Sequence, residues 1–527
     1  VLKVLSDQIE VSQNRECLQT LCETNPQRDK DRIERHKGGL LEDAYNWVFE
    51  NAEFKRWRFE EKEQLLWIKG DPGKGKTMLL CGIINELINS TVASENTIIY
   101  FFCQATDEKL NNAAGVLRGL IYMLVDQHPY LISHLRWEYD KDKRIFEDRR
   151  NSWETLSRIF IKILEDPTLQ KIQIHVMVDA LDECTTDLSL LLEFIVHIQS
   201  SNTNGKWIVT SRNETSIEEI LDTHEITSKK GNLSLELNEH SVSRAVEYFI
   251  NFRVQTLSKR KRYSPGTRDA VVQHLLSNAH GTFLWVALVC DELLNPRLSN
   301  LQVPKRLKQF PAGLDRLYGR MLEQIEDDSG SEICKYILSI TATVYRPITL
   351  EELSCYIEFS EEDDISYLSQ LIGLCGSFLT LRGSTISLLH QSAKDFIHQK
   401  AVDKIFPYGP AKVHHDIFSK SLKAINTTLR RDIYGLIRPG YMIEKVEQPN
   451  SDPLAAVGYS CIHWVDHLKA CSQFRAEFPD DFAEGGTVDE FFRKNYLNWL
   501  EAISLLRSVS KGITSILKLE DMIEVCI

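Results

Sequence analysis

Residues Gly70–Thr77 read Gly-Asp-Pro-Gly-Lys-Gly-Lys-Thr, the residue types and spacing of a loop that cradles phosphate. Gly70, Gly73 and Gly75 allow positive φ and a close approach of backbone to a ligand. The N–H groups of such a loop converge on phosphate oxygens at the start of a helix, where the dipole favours anions. Lys76 then reaches the terminal phosphates as a point charge, and the Thr77 hydroxyl ligates Mg²⁺. Asp71, Pro72, Lys74 and Met78 belong to the same nucleotide-binding stretch.

Two further groups fit that chemistry. Val176–Cys184 reads VMVDALDEC. An acid that closes a buried strand faces the phosphate loop across neighbouring strands, which assigns Asp179 to Mg²⁺ through water. Asp182 and Glu183 follow, and one of them can orient or deprotonate the attacking water; Glu183 is the favoured one, with Asp182 equally a candidate for metal contacts. The competing reading makes these acids simple stabilisers of a helix N-terminus. Thr210-Ser211-Arg212-Asn213 ends another strand candidate, where Arg212 neutralises charge on the γ-phosphate during transfer. No guanine-reading Asn-Lys-x-Asp tetrapeptide follows the loop, so ATP or ADP is the expected nucleotide.

These residues need a scaffold that brings strand ends together. The phosphate loop lies between an apolar run, Leu65–Ile68, and a helix-like run of Met78, Leu79, Leu80, Ile83, Ile84 and Leu87. Further strands are predicted at Thr97–Phe102, Ile172–Val178, Trp207–Thr210 and Leu233–Leu237, with helices at Asn111–Val125 and Leu188–Ile198. Such alternation implies a five-stranded parallel sheet covered on both faces. A polar helical lead-in breaks at Asn25-Pro26, and the charged residues 137–151 read as an exposed loop. Beyond residue 238 helical periodicity dominates, apart from a strand pair at Phe378–Leu381 and Thr385–Leu389. Residues 406–412 and 447–453 read as linkers, and no repeat of solenoid or propeller period appears.

Composition narrows the class. A chain of 527 residues with 43% hydrophobic and 26% charged residues is expected to be globular with several domains. A net charge of -13 argues against nucleic acid as the main partner. No apolar stretch approaches the roughly 20 residues of a membrane span. The twelve cysteines form no CxxC pair or zinc spacing, and they read as reduced thiols of a cytoplasmic protein. The chain begins at Val1, without a secretory-type leader, and reads as a fragment or a processed chain.

Taken together, the chain resembles the NACHT nucleoside triphosphatases of the signal-transducing STAND class, and in particular the fungal NOD-like receptors. The resemblance runs through Asp31–Asn51, Trp67–Leu80, Tyr100–Asp107, Val178–Cys184, Ile208–Asn213, His280–Leu293, Gly313–Leu322 and Leu388–Ile397. It implies a P-loop α/β domain followed by mostly helical domains that include a winged helix. The boundaries it implies are an N-terminal helical linker at 1–30, the NACHT domain at 31–238 and a first helical domain at 239–312. A winged helix at 313–402 and a second helical domain at 403–527 follow. Residue by residue, it implies phosphate and Mg²⁺ at Lys76 and Thr77, the metal-side acid at Asp179, the acidic pair at Asp182 and Glu183, and a sensor at Arg212. Arg32 and Ile33, with Gly38, are implied to close over the adenine, and His390 to contact the β-phosphate of ADP. Gly281-Thr282-Phe283 departs from the Gly-x-Pro of many relatives, so the family's adenine contact there does not carry over unaltered.

The implied function is an ATP/ADP-operated switch in fungal innate immunity or heterokaryon incompatibility. ADP holds the closed form, exchange for ATP releases a form that self-associates, and slow hydrolysis resets it. An effector domain or adaptor and a ligand sensed through C-terminal repeats are the implied partners. Three alternatives compete: a P-loop kinase, a nucleotide-bound scaffold without turnover, and a DNA-binding winged helix. The helical material after the sheet has no place in a small kinase, and the acidic Thr349–Asp364 would repel a phosphate backbone.

Overall fold

The computed structural model describes residues 2–21, 24–90, 96–141, 152–200, 205–222, 230–296, 298–326, 330–357, 365–437, 440–471, 481 and 485–524. The chain divides into two compact units, Val1–Leu317 and Tyr318–Ile527.

The first unit is built on a parallel sheet of five strands in the order β2-β3-β4-β1-β5. These are β1 (Leu65–Lys69), β2 (Asn96–Phe102), β3 (Gln173–Asp179), β4 (Gly205–Ser211) and β5 (Lys230–Ser234). β1 is paired on both edges: Leu66 lies opposite Ile208 of β4 and Gly231 of β5. Leu65, Leu66, Trp67 and Ile68 are all buried, as a strand with helices on both faces requires. The helix Lys76–Ser90 buries Leu79, Leu80, Ile83, Ile84 and Leu87, so the apolar run after the loop is a core-facing stripe. Asn25 caps the helix Pro26–His36 by accepting the Arg28 N–H, with Pro26 in its first turn; the predicted break lies there. From that helix the buried Lys30 ammonium reaches Glu34 and Asn85, each at 2.6 Å, which ties it to the helix that follows the phosphate loop.

Two local expectations fail in this unit. The last strand spans Lys230–Ser234 rather than Leu233–Leu237. The Leu235 N–H still reaches Lys69 O at 2.9 Å, but the chain then turns back, with Asn238 N–H on Ser234 O, and Leu237 stays exposed. The alternation of apolar residues there came from a turn. Residues 137–141 are helical, within Ile132–Lys141, because Leu135 and Tyr139 fall one turn apart on a buried face. The remaining residues of that expected loop, 142–151, lie outside the described residues. The helices Glu239–Lys261, Pro265–Asn278, Phe283–Leu293 and Val303–Leu307 follow the sheet in this unit, and Trp285 is fully buried.

In the second unit the helix Ser331–Thr343 leads to strand β6 (Ile348–Thr349), and the helices Leu350–Ser354 and Ile365–Leu374 follow. The hairpin β7 (Leu379–Arg382) and β8 (Thr385–Leu388) comes next, where a strand pair was expected. The small antiparallel sheet has the order β6-β8-β7; β6 was missed because two residues carry no periodicity. Residues 358–364 of the acidic stretch are outside the described residues. The expected linker at 406–412 is partly helical, since Pro410 starts the helix Pro410–Thr428, where its missing N–H costs nothing. That helix and Gly458–Cys471 enclose a core of Phe418, Trp464, Phe491 and Trp499. Among the described residues the cysteines form no disulfide, and no helix is long and apolar enough to cross a membrane.

A Cβ at Gly119, in the helix Ala113–Gln127, would overlap the Phe101 ring of β2. Overpacking of a core costs about 1–3 kcal/mol, against the roughly 0.5–1 kcal/mol that Ala gains over Gly in a helix. Gly119→Ala should therefore lower stability by about 1–2 kcal/mol, read as a lower urea midpoint at unchanged slope. An equal or higher midpoint would contradict this packing.

Candidate functional site

The phosphate loop leaves β1 between the carboxyl ends of β4 and β5. Its first N–H, on Gly70, reaches Ser211 O of β4 at 3.3 Å, and Lys69 O accepts Leu235 N–H beyond β5. Gly73 and Gly75 have φ of 79° and 89°, the left-handed region that favours glycine. Space imposes the same choice: a Cβ on Gly73 would lie 2.8 Å from Leu284 Cβ, and one on Gly75 2.9 Å from the Phe283 ring. The Lys76 ammonium folds onto the loop's own carbonyls, Gly70 O and, at 3.1 Å, Asp71 O. Burial lowers its pKa, opposed by the negative charges of Asp182 and Asp179.

The sheet brings the remaining predicted residues to the same edge. Asp179, at the end of β3, is 2% exposed. It accepts a hydrogen bond from the Thr210 hydroxyl at 2.6 Å, and the Thr77 hydroxyl lies near enough to act on its charge. Burial raises its pKa, while those two hydroxyls pull it down. The two expected metal ligands are therefore neighbours. A hydroxyl and a carboxylate suit Mg²⁺, which takes one or two protein oxygens and completes its shell with phosphate and water. Ala180 follows with φ 54°, a strained conformation for a residue with a Cβ, and its N–H donates to the Thr210 hydroxyl at 2.9 Å.

That turn separates the acidic pair. Asp182 faces β4: its carboxylate holds Arg212 Nε at 3.0 Å and accepts the Arg212 N–H at 3.0 Å. Glu183 turns the other way and accepts the Ala105 N–H, after β2, at 3.1 Å. Burial, with the charge of Asp182 beside it, pushes the Glu183 carboxyl up to about 7. The loop, the Asp179 and Asp182 carboxylates and the Arg212 guanidinium thus converge at the carboxyl edge of one parallel sheet, the fold of P-loop nucleoside triphosphatases.

A family model described as "Nephrocystin 3, N-terminal" matches residues 43–212. The vegetative incompatibility protein HET-E-1 of Podospora anserina is 46% identical over 523 residues, 96% of this chain. The chain spans 38% of that protein's length. Both matches support a nucleoside triphosphatase of the fungal NACHT type. Among solved structures, the Walker-type ATPase PABY2304 of Pyrococcus abyssi is 13% identical, with a TM-score of 0.28 over 65% of this chain and 95% of that one. The Aeropyrum pernix ORC2 protein, in its ADPNP–ADP complexes, is 11% identical, with a TM-score of 0.30 over 65% and 89%. Likenesses this distant carry no weight for function.

The NACHT loop has neighbours that sequence reasoning missed. Lys74 donates to His280 O at 2.8 Å, and Leu284 N–H reaches Gly73 O at 3.3 Å, so the segment before the helix Phe283–Leu293 braces the loop. Asp71 N–H donates to Glu236 at 2.8 Å. The glycine spacing of the loop could have suggested close neighbours, but nothing local names them. Pro72 and Met78 are partly buried within the loop and the first turn of its helix. Arg32 pairs with Asp29 on its own helix at 3.0 Å, and Ile33 packs against the core of the first unit. Arg253 Nη1 lies 3.7 Å from where a Gly38 Cβ would stand. In the second unit His390 is the N-cap of the helix Gln391–Gln399, and its Nδ1 accepts the Ser392 N–H at 3.1 Å. An accepting Nδ1 puts the neutral ring's proton on Nε2.

Glu183 holds its proton more tightly folded than unfolded, where its ordinary value is 4.5. Its contribution to stability is therefore complete below that value and is lost as pH rises through about 7. Stability of the nucleotide-free protein should fall over this window, and Glu183→Gln should flatten that part of the profile. Urea unfolding at a series of pH values checks this; parallel profiles for parent and variant would place Glu183 elsewhere.

Proposed function

We propose that this chain is the nucleotide-operated switch of a fungal NOD-like receptor acting in heterokaryon incompatibility or innate immunity, binding ATP or ADP with Mg²⁺. One observation carries the reading: the Lys76 ammonium, turned onto its own loop, faces Asp179, Asp182 and Arg212 at the carboxyl edge of the sheet. That arrangement suits a polyphosphate with a metal ion. Thr77 and Asp179 would hold Mg²⁺, which supplies charge neutralisation to the terminal phosphates. The loop amides orient the phosphates, and Arg212, released from Asp182, would meet the added charge of a γ-phosphate. Asp182 faces this group, whereas Glu183 is turned toward Ala105, so Asp182 is the better placed to orient water. Hydrolysis on this reading is slow and serves as a reset.

The second unit, in its helix, strand, helix, helix, hairpin order, is read as the winged helix followed by a second helical domain. His390 is its nucleotide contact, and a ring proton on Nε2 supports this by offering a donor to an anionic oxygen. A ligand shifts a two-state protein only by its differential affinity, and moving from 1:99 to 99:1 takes about 5.5 kcal/mol. A few charge-assisted hydrogen bonds at roughly 1.5–3 kcal/mol each reach that range. The further partners are copies of the chain on activation, an effector domain or adaptor, and a ligand sensed through C-terminal repeats.

Nucleotide released from denatured, purified protein should be adenine nucleotide, and Lys76→Ala should release none. Protein that yields no nucleotide and binds none when it is added would end the proposal. His390→Ala should speed ADP release and promote self-association, followed by a fluorescent ADP analogue and light scattering. A variant that keeps ADP as tightly as the parent and remains monomeric would remove His390 from the switch.

A further inference from the structure

Glu236 lies two residues beyond β5, and nothing in the site's chemistry as described uses it. Its position is fixed. Oε1 accepts the Asp71 N–H at 2.8 Å, and Oε2 lies 3.2 Å from the Ser234 hydroxyl and 3.4 Å from Asn213 Nδ2. The same Asn213 nitrogen is 3.4 Å from Asp71 Oδ1. The carboxylate therefore spans from the first turn of the phosphate loop to the residue after Arg212. Burial alone would raise its pKa, but the N–H groups of Asp71 and of Glu236 itself, with Asn213 and Ser234, outweigh burial and hold it below the ordinary value. The group is thus ionised at neutral pH, and its field acts on the Lys76 ammonium together with Asp182, Asp179 and Arg212.

A fixed negative charge beside a phosphate site opposes a more highly charged ligand more strongly than a less charged one. Metal coordination is accounted for by Thr77 and Asp179, and Arg212 by Asp182. Asn213 places Glu236 on the Arg212 side of the loop, where a γ-phosphate would arrive. ATP brings one more negative charge to that side than ADP does, and at short range in a partly buried site such a charge is felt strongly. We propose that Glu236 is a specificity-determining residue that biases the site toward the diphosphate, so that ADP is the resting nucleotide. This rests on the nucleotide-switch reading above. The loop is braced and the triphosphate is repelled by the same carboxylate.

The two roles separate in an isostere. Glu236→Gln keeps an oxygen for the Asp71 N–H and removes only the charge, with Asn213 free to flip its amide. Dissociation constants for ADP and for ATP would be measured with Mg²⁺, by calorimetry on nucleotide-stripped full-length chain. The ratio should move toward ATP by about tenfold in Glu236→Gln, almost entirely through tighter ATP binding. Asn213→Asp adds a charge at the same lip and should move the ratio the opposite way. Raising ionic strength should shrink the parent's preference for ADP more than that of Glu236→Gln. A ratio unchanged in both variants, or both nucleotides weakened equally, reduces Glu236 to a brace and overturns the proposal. A parent that binds neither nucleotide overturns the nucleotide reading itself, which keeps the two failures distinct.

Discussion

Pairing of β1 on both edges is the constraint from which the rest of the site follows. With β4 on one side and β5 on the other, the loop leaving β1 emerges between two strand ends and must hydrogen-bond to both. Gly70 reaches Ser211 and Lys69 reaches Leu235 for that reason. Parallel strands carry all their carboxyl ends on one edge, so Asp179, Arg212 and Glu236 arrive at the same side as the loop without any local instruction. An antiparallel sheet of the same strands would scatter them.

Electrostatics then decides what each group can do. The edge collects the ammonium of Lys76 and the guanidinium of Arg212, and the carboxylates of Asp179, Asp182 and Glu183, with Glu236 at the lip. Buried charge in such a cluster is tolerable only when paired. Each of these four has a partner: Arg212 with Asp182, Asp179 with the Thr210 hydroxyl, Glu183 with a backbone N–H, Lys76 with two carbonyls. Glu183, whose carboxyl burial pushes up to about 7, is turned from the loop toward Ala105. A polyphosphate with a metal ion would exchange several of these internal contacts for external ones, and this exchange is how occupancy gains a structural consequence.

Bracing from outside the sheet adds a second route for that consequence. His280, with φ 47°, and Gly281, with φ 65°, turn the chain so that a carbonyl meets Lys74 and the Phe283 ring meets Gly75. The loop cannot change shape without moving the start of the helix Phe283–Leu293. Gly73 and Gly75 are glycine both for their backbone angles and because Leu284 and Phe283 fill the space a side chain would need.

Much of this was legible in the sequence, and what was not has a common cause. The octet Gly70–Thr77, the acid closing an apolar run at Asp179 and the arginine after another at Arg212 are local patterns, because backbone chemistry requires those types at those spacings. Buried strands announced themselves for the same reason: Leu65–Ile68 and Val176–Val178 are continuously apolar because both faces are covered. The alternation at Leu233–Leu237 misled because a turn can carry the same pattern, and only the hydrogen bond from Asn238 to Ser234 ends the strand. Residues 137–141 misled because charge alone does not reveal that Leu135 and Tyr139 share a buried face. The opposite orientations of Asp182 and Glu183, the brace at His280–Leu284 and the position of Glu236 against Asp71 were beyond any local reading. Each joins residues far apart in the chain, and only strand order and packing decide which distant groups become neighbours.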